Sequence, residues 1–206
     1  MVDSITVYSD HVCPFCYLGR ASLSRYRETR EEPLAVDWHP FDLRAGKRNP
    51  DGSIDTDVDD GKDEDYYDEA RENVRRLRER YDVEMAQEIR KDVDSLPAQQ
   101  VSLWVKERHP EAWPAFDDAV FEALWTEGRD VGDPEVLRDL AADVEGVDAD
   151  DVRSALDDDE LRDRLADLFD EARQRGITGV PTFAFEGHAA RGAVPPEQLR
   201  RLVEGA

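Results

Sequence analysis

The two cysteines of the chain, Cys13 and Cys16, stand with two residues between them near the N-terminus. Paired thiols at this spacing are suited to reversible thiol–disulfide exchange. A β-type segment, Ile5–Tyr8, precedes them, and a helical pattern follows. Pro14 lacks an N–H and has a φ that suits the first helical position. The sequence therefore predicts a helix that begins at Pro14 and has Cys13 as its N-cap.

This placement predicts unequal roles for the two thiols. A helix N-terminus carries roughly half a positive charge, which favours the thiolate of Cys13. Cys16 lies one turn further along the same face and should be less exposed. We expect Cys13 to attack a partner and Cys16 to resolve the mixed disulfide. A protonated His11 would favour the thiolate and Asp10 would oppose it; the alternative for His11 is a solvated or capping side chain.

A proline near the other end of the chain belongs to the same prediction. Pro181 stands directly before a β-type segment, Thr182–Phe185, that should pair with the first strand. We predict that the Val180–Pro181 bond is cis and that its loop lies beside the cysteines, where an extended peptide could hydrogen-bond to the backbone. A proline ring against the sulfurs also disfavours metal capture. The alternative is an ordinary trans proline at a strand start.

Hydrophobic periodicity gives the order of the elements. Strands over Ser4–Ser9 and Leu34–Phe41 flank a helix from Pro14 to about Arg30, which predicts a right-handed βαβ unit with parallel strands. Residues 64–174 carry one helical pattern after another, including one from Gln99 to His109. The end of the chain predicts a strand, a hairpin turn, a second strand and a helix, over Thr182–Phe185, Glu186–Gly187, His188–Arg191 and Pro196–Val203.

This order is typical of an α/β protein with a thioredoxin fold and a large all-helical insertion. We predict a discontinuous thioredoxin-like domain over residues 1–62 and 176–206, and a helical insertion domain over 63–175. The acidic run Asp55–Asp65 is interpreted as a solvated loop, since it lacks the central Gly and terminal Glu of a calcium-binding loop.

The motifs together resemble the DsbA family, in particular its cytoplasmic FrnE-like branch. They run from Cys13 through Gly19, from Trp38 through Leu43, from Phe121 through Ala123 with Glu127 through Asp133, and from Thr178 through Phe183. The resemblance covers nearly the whole chain.

The resemblance implies dithiol–disulfide oxidoreductase activity without a cofactor or a metal, on proteins or low-molecular-weight compounds that contain thiols or disulfides. It implies that Cys13 and Cys16 are the redox pair, that Pro181 is the cis-proline and that Val180 faces the substrate. We expect Pro181, Pro14 and Phe15 to contact substrate as well, and Pro14 and Phe15 to influence the reduction potential. The chain departs from the family at Gln99 and Gln100, where FrnE-like proteins often carry a histidine.

The composition excludes some partners and suggests an environment. A net charge of −23 disfavours nucleic acid and anionic membranes as partners. No signal-peptide pattern and no membrane-span pattern is present, so we expect a cytoplasmic monomer or homodimer. Abundant Asp and Glu with only four lysines, at positions 47, 62, 91 and 106, resemble proteins of halophiles, because molar salt shortens the Debye length to about 3 Å.

Other functions remain open on the sequence alone. His11, Cys13 and Cys16 could ligate a metal, although no second cysteine pair exists. A glutathione-dependent isomerase or transferase of the DsbA-like, kappa-class type would need only one thiolate, and such enzymes typically carry Ser in place of Cys13. A structural disulfide is disfavoured, since so small a loop removes little chain entropy.

Overall fold

One four-stranded sheet joins the two ends of the chain. The structure is a computed structural model that describes residues 2–55, 57–58 and 61–205. The strand order of the sheet is β2-β1-β3-β4. The first pair of strands is parallel and the other two pairs are antiparallel, as the βαβ pattern and the hairpin predict. The strands are β1 (Asp3–Ser9), β2 (Leu34–Pro40), β3 (Thr182–Phe185) and β4 (His188–Arg191).

Eight α-helices lie in the described part of the chain, and six of them fall between β2 and β3. They are α1 (Pro14–Glu28), α2 (Glu64–Arg80), α3 (Leu96–Arg108), α4 (Trp113–Trp125), α5 (Pro134–Ala142), α6 (Asp151–Leu156), α7 (Asp159–Gln174) and α8 (Pro196–Glu204), with a short 3₁₀ turn over Ala45–Lys47. The α/β fold class is as predicted, whereas the division into domains at residues 63 and 175 stays a prediction.

The local signals explain most of the boundaries. Asp133 caps α5 by accepting a hydrogen bond from the Glu135 N–H, with Pro134 in the first turn, as this sequence pattern favours. Glu186 and Gly187 connect β3 to β4 with φ angles of 47° and 83°, the positive values that tight hairpin turns need.

The predicted start of α3 at Gln99 is wrong by three residues, because the helix begins at Leu96. Its N-cap, Ser95, makes no side-chain bond to the helix; the hydroxyl donates to the buried carboxylate of Asp10 instead. The local start signal is nevertheless present, since Ser95 is followed by Pro97 in the first turn.

Buried apolar residues form two clusters. The smaller cluster packs α1 and α8 against β1 and β3 and includes Ile5, Tyr26 and Phe183. The larger cluster contains both cysteines together with side chains from the helices between β2 and β3, such as Trp125. The cysteine pair is therefore set into the main core, where burial of each large apolar side chain contributes about 1.5–3 kcal/mol.

The acidic run Asp55–Asp65 is only partly described, since Thr56, Asp59 and Asp60 lie outside the described residues. The turn that precedes the run is ordered by the Gly52 N–H, which donates to the Asn49 carbonyl at 2.9 Å.

Candidate active site

The first turn of α1 carries both thiols, as predicted. Cys13 is the N-cap, with φ −91° and ψ 113°, and its carbonyl accepts hydrogen bonds from the N–H groups of Cys16 and Tyr17 at 3.0 and 3.3 Å. Both cysteines are free thiols. Their side chains lie largely within the protein, with Cys13 3% exposed and Cys16 1% exposed.

The surroundings of the two sulfurs differ in a way that matters for reactivity. Burial raises the pKa of the Cys16 thiol well above its usual value, and the adjacent Cys13 raises it further. Cys13 lines an open cleft, whereas Cys16 is absent from the described lining. Of the two cysteines, Cys13 is the one whose side chain borders the cleft.

The loop before β3 lies against Cys13. The Val180–Pro181 bond is cis, as predicted. The Cys13 thiol donates to the Val180 carbonyl at 3.6 Å, and no hydrogen bond to the Val180 N–H is found in the described part of the chain. Bonds on both sides fix the loop: the Thr182 hydroxyl donates to the Gly179 carbonyl at 2.7 Å, and the Gly192 N–H donates to the Pro181 carbonyl at 2.8 Å.

A glycine in α1 permits this close packing. A Cβ atom added at Gly19 would lie 3.1 Å from Cζ of Phe183 and 3.2 Å from Cγ of Pro181. Both distances are shorter than ordinary carbon contacts. Gly19 thus brings α1, and the cysteines at its start, against the proline loop.

Behind the cysteines, His11 occupies a closed site. The alternative of a solvated or capping His11 is wrong, because the side chain is fully buried and its Nε2 lies 2.9 Å from Oδ1 of Asp117 on α4. Arg20 bonds to Asp117 and also to the exposed Asp118. The Trp125 indole donates to the His11 carbonyl at 2.8 Å, so the side chains of Asp117 and Trp125 both tie the histidine segment to α4.

Asp117 is ionised in this environment. Burial opposes its charge, but the positive charge of Arg20 and the hydrogen bond with His11 outweigh burial and lower the pKa of Asp117. A fully buried carboxylate at this position is tolerable because it is paired and hydrogen-bonded.

Asp10 is the second buried carboxylate of the site and has only neutral donors. It accepts hydrogen bonds from the N–H of Val12 at 3.2 Å, the N–H of Leu43 at 2.8 Å and the hydroxyl of Ser95 at 2.5 Å. Burial raises the pKa of Asp10; the Ser95 bond opposes the rise without cancelling it, and nearby Asp42 adds to it.

The cleft beside Cys13 has a volume of about 420 Å³. Of the residues predicted to bind substrate, Pro14, Phe15 and Val180 line the cleft, whereas Pro181 is absent from the described lining. His11 and Asp10 do not line it either. The two residues with predicted tuning roles could therefore act on the thiols only from within the protein.

The metal-binding alternative finds no geometric support. Among the described residues, no group of three His, Cys, Asp or Glu side chains is arranged to hold a metal ion. His11 directs its Nε2 to Asp117 and not to the cysteines.

Several residues of the site carry no local sequence signal for their role. Asp117 and Ser95 lie more than 80 positions from their partners in the chain. Gln99, one of the two glutamines at the departure from the family, joins this network by donating to Ser95 Oγ at 3.3 Å. One signal was present: Asp117 is a charged residue on the buried face of the most apolar helix, between Phe116 and Val120. A charge at such a position indicates a buried partner.

These features define a thioredoxin-fold thiol–disulfide oxidoreductase: a Cys-x-x-Cys pair at a helix N-terminus, a cis-proline loop against the first cysteine, and a sheet built from both ends of the chain. A model of the DSBA-like thioredoxin domain matches residues 4–204. The chain belongs to this family, as its motifs predicted.

Three known proteins show how far the similarity extends. The uncharacterized protein YwbO of Bacillus subtilis is 28% identical over 211 residues, which cover 98% of this chain and 96% of that protein. The crystal structure of a probable DsbA oxidoreductase from Streptomyces coelicolor is similar with a TM-score of 0.80 at 24% identity, covering 98% of this chain and 88% of the other. The cytosolic disulfide reductase DsbM from Pseudomonas aeruginosa, solved with GSH, gives a TM-score of 0.62 at 19% identity, covering 97% and 92%.

Across the described residues, none of the helices has the length and apolar character needed to cross a lipid bilayer.

Proposed function

We propose that the protein exchanges electrons with other thiols and disulfides by cycling Cys13 and Cys16 between dithiol and disulfide. Cys13 is the nucleophile and Cys16 the resolving thiol. The observation that carries this proposal is the asymmetry of the pair. Cys13 lines the cleft beside Val180, whereas the pKa of Cys16 is raised by burial.

The helix geometry supports the order of the steps. The N-terminus of α1 favours negative charge on Cys13, whose thiolate attacks one sulfur of the substrate and displaces the other. In the mixed disulfide, the negative charge of the Cys13 sulfur that raises the pKa of Cys16 is gone. Cys16 can then ionise more readily and attack the Cys13 sulfur.

The residues around the cleft supply the contacts for a substrate. Val180 offers an N–H that makes no hydrogen bond within the described residues, at the point where its carbonyl meets Cys13. Pro14 and Phe15 form the apolar floor next to the sulfur. Pro181 holds Val180 in position, and Asp10 and His11 tune the pair from behind.

An equilibrium titration of the pair against reduced and oxidised glutathione tests the proposal. The purified protein is equilibrated at a series of ratios, quenched with acid, alkylated and weighed by mass spectrometry. We expect one transition between dithiol and Cys13–Cys16 disulfide that is the same from either direction. A pair that stays reduced under the most oxidising ratio, or whose disulfide cannot be reduced again, contradicts the proposal.

A glutathione-dependent isomerase or transferase is the second candidate. One observation favours it: a single thiol, Cys13, faces the cleft, and one thiolate at a helix N-terminus suffices for such chemistry. Replacement of Cys16 by Ser separates the two functions. Loss of disulfide turnover supports the cycling pair, whereas full activity without Cys16 supports the isomerase or transferase.

We also propose that the protein belongs to the FrnE-like branch and acts in the cytoplasm on proteins or low-molecular-weight thiols, as a monomer or homodimer.

The excess of acidic residues, 50 Asp and Glu against 27 Lys and Arg, supports function in concentrated salt, because screening relieves the repulsion among them. Thermal melting at rising KCl tests this point. We expect the melting temperature to increase up to molar salt; equal stability without added salt would contradict a halophilic origin.

A further inference from the structure

The cleft beside Cys13 is more apolar than the chain as a whole. Ten of the sixteen described residues that line it are hydrophobic, whereas hydrophobic residues make up 39% of the sequence. Three aromatic rings are among them, one on α1 and two on α2: Phe15, Tyr66 and Tyr67. Such a lining favours a substrate that carries apolar groups next to its sulfur.

Only part of the apolar face of α2 serves the core of the protein. Val74 is fully buried, and Leu77 packs against the larger cluster. Further towards the start of the helix, Ala70 and Tyr66 line the cleft instead. Tyr66 is 49% exposed and is one of three large hydrophobic side chains that are exposed in the described part of the chain. Its ring therefore has free area that a bound substrate can cover.

Contacts within the protein hold the two tyrosines in place. Their ring centroids lie 5.4 Å apart at an interplanar angle of 86°, which is the edge-to-face arrangement that aromatic pairs favour. Asp63 caps α2 by accepting a hydrogen bond from the Tyr66 N–H at 2.9 Å. Lys91 Nζ lies 3.4 Å from the centroid of Tyr67, within the range of a cation–π contact. Tyr67 is thus engaged by its neighbours, whereas about half of Tyr66 is left to the cleft.

The cations of the same lining have partners within the protein. Arg90 pairs with Asp92 at 2.8 Å, and Lys91 Nζ lies 3.6 Å from Glu64. The other cations, which are also engaged, are Arg44, Lys47 and Lys62. We therefore look to the aromatic surface, and not to charge, for the property that selects a substrate.

We propose that Tyr66 is a specificity-determining residue that favours polypeptide segments with an aromatic side chain beside the reacting cysteine. The proposal rests on the function proposed above and names its class of substrate. A peptide is favoured because the Val180 N–H, which makes no hydrogen bond within the described residues, can donate to a peptide carbonyl next to Cys13. An aromatic side chain is favoured because a third ring can pair with Tyr66 at a centroid distance of about 4.5–7 Å.

The electron transfer is the same for every substrate of this class. The Cys13 thiolate attacks one sulfur of a peptide disulfide, the S–S bond breaks and the first peptide thiolate leaves. The Cys16 thiolate then attacks the Cys13 sulfur and displaces the second peptide thiolate. The substrate gains two electrons, the dithiol of the protein loses two, and the two thiol protons of the protein pass to the released thiolates.

Oxidation of the reduced protein by matched peptide disulfides tests the proposal. The substrates are the symmetrical disulfides of N-acetyl-Phe-Cys-amide and N-acetyl-Cys-Phe-amide, and of the same dipeptides with Ala in place of Phe; all are uncharged. Acid quench and mass spectrometry give the second-order rate constant for formation of the Cys13–Cys16 disulfide. For Tyr66→Ala we expect the rate constant with the Phe disulfide that the wild type prefers to fall about threefold to tenfold. The rate constants with the Ala disulfides should stay nearly constant.

Two further variants separate recognition of the ring from a structural effect. Tyr66→Phe keeps the ring and should retain the rate constants of the wild type. Glu72→Ala, at an exposed position of the same helix and outside the described lining, is the matched control and should leave every rate constant unchanged. Alkylation of Cys13 by iodoacetamide, measured in proteins that also carry Cys16→Ser, should proceed equally fast with and without Tyr66→Ala.

Several results would overturn the specificity. They are an equal loss for the Phe and Ala disulfides in Tyr66→Ala, no loss for either, or a loss in Tyr66→Phe as large as that in Tyr66→Ala. Dibenzoylcystamine and diacetylcystamine, which carry an aromatic and a methyl group without a peptide chain, test the choice of a peptide. A loss with dibenzoylcystamine as large as that with the Phe peptide overturns that choice.

The outcomes also distinguish this proposal from the general function. Oxidation by all of the disulfides with no dependence on Tyr66 overturns the aromatic preference and leaves the oxidoreductase function standing. If none of the disulfides oxidises the pair, the oxidoreductase function is contradicted, and the preference fails with it.

Discussion

Two buried carboxylates stand behind the cysteine pair, and their environments are opposite. Asp10 and Asp117 are both fully buried. Asp117 faces Arg20 and His11, and its pKa is lowered. Asp10 faces two backbone N–H groups and the Ser95 hydroxyl, and its pKa is raised. Equal burial thus leads to opposite shifts, since only one of the two carboxylates has a cation beside it.

The two carboxylates therefore have different structural roles. The Asp117 side is an ionic anchor that ties the start of α1 to α4 through Arg20 and His11. The Asp10 side is a hydrogen-bond hub that joins the segment after β1 to Leu43 and to Ser95 at the start of α3. Either side could be altered without touching the sulfurs, which makes the comparison testable.

Replacement of Asp117 by Asn should have the largest effect on stability. The change removes the ionic partner of Arg20 and leaves that cation beside a neutral amide. Breaking a buried ion pair costs about 3–5 kcal/mol, and we expect the lower end here because Arg20 keeps Asp118. Urea unfolding measures the difference.

Asp118→Asn is the matched control, because it alters the same guanidinium from the exposed side, where Asp118 is 64% exposed. This change should lower the free energy of unfolding by less than about 1 kcal/mol. Equal costs for the two variants would remove the distinction between a buried anchor and a surface pair.

Replacement of Gly19 by Ala should have the next largest effect. The new methyl group would press on Phe183 and Pro181, and overpacking of this kind costs about 1–3 kcal/mol. It should also slow the alkylation of Cys13, because α1 must move away from the proline loop.

Gly46→Ala serves as the control, since a Cβ there meets nothing within 4 Å and should change the stability by no more than about 0.5 kcal/mol. A Gly19→Ala protein with unchanged stability and unchanged Cys13 reactivity would show that close packing of α1 on the loop is not required.

The smallest effect, and the sharpest test of the comparison, is the pH dependence of stability. The raised pKa of Asp10 means that its contribution is fully present below the usual value of 3.8 and is lost as the pH rises through the folded-state pKa. The lowered pKa of Asp117 means that its contribution is present above 3.8 and is lost as the pH falls through the folded-state pKa.

On acidification, the free energy of unfolding of the wild type should therefore increase relative to that of Asp10→Asn. Relative to that of Asp117→Asn, it should decrease. Urea unfolding of the three proteins at a series of pH values gives both slopes. Slopes of the same sign would contradict the opposite shifts.

The sequence predicted those parts of the site that depend on neighbouring residues. The thiols at the helix start follow from Cys13 and Pro14, and the βαβ and hairpin order follows from hydrophobic periodicity. The position of Pro181 before β3 was also visible once the two motifs were considered together. Each of these signals spans a few residues or one repeating pattern.

The remaining contacts depend on tertiary packing, which local patterns do not encode. His11 meets Asp117, 106 positions away, and Ser95 meets Asp10, 85 positions away. Neither contact can be predicted without knowing how the helices between β2 and β3 pack against the sheet.

The most direct test of the account is to trap the mixed disulfide. Cys16→Ser and Cys13→Ser are each treated with hydroxyethyl disulfide, quenched with acid and analysed by mass spectrometry. We expect Cys16→Ser to accumulate one adduct, on Cys13, and Cys13→Ser to remain unmodified over the same time, while the wild type passes to the intramolecular disulfide. An adduct on Cys16 that forms as fast as the one on Cys13 would contradict the claim that Cys13 attacks and Cys16 resolves.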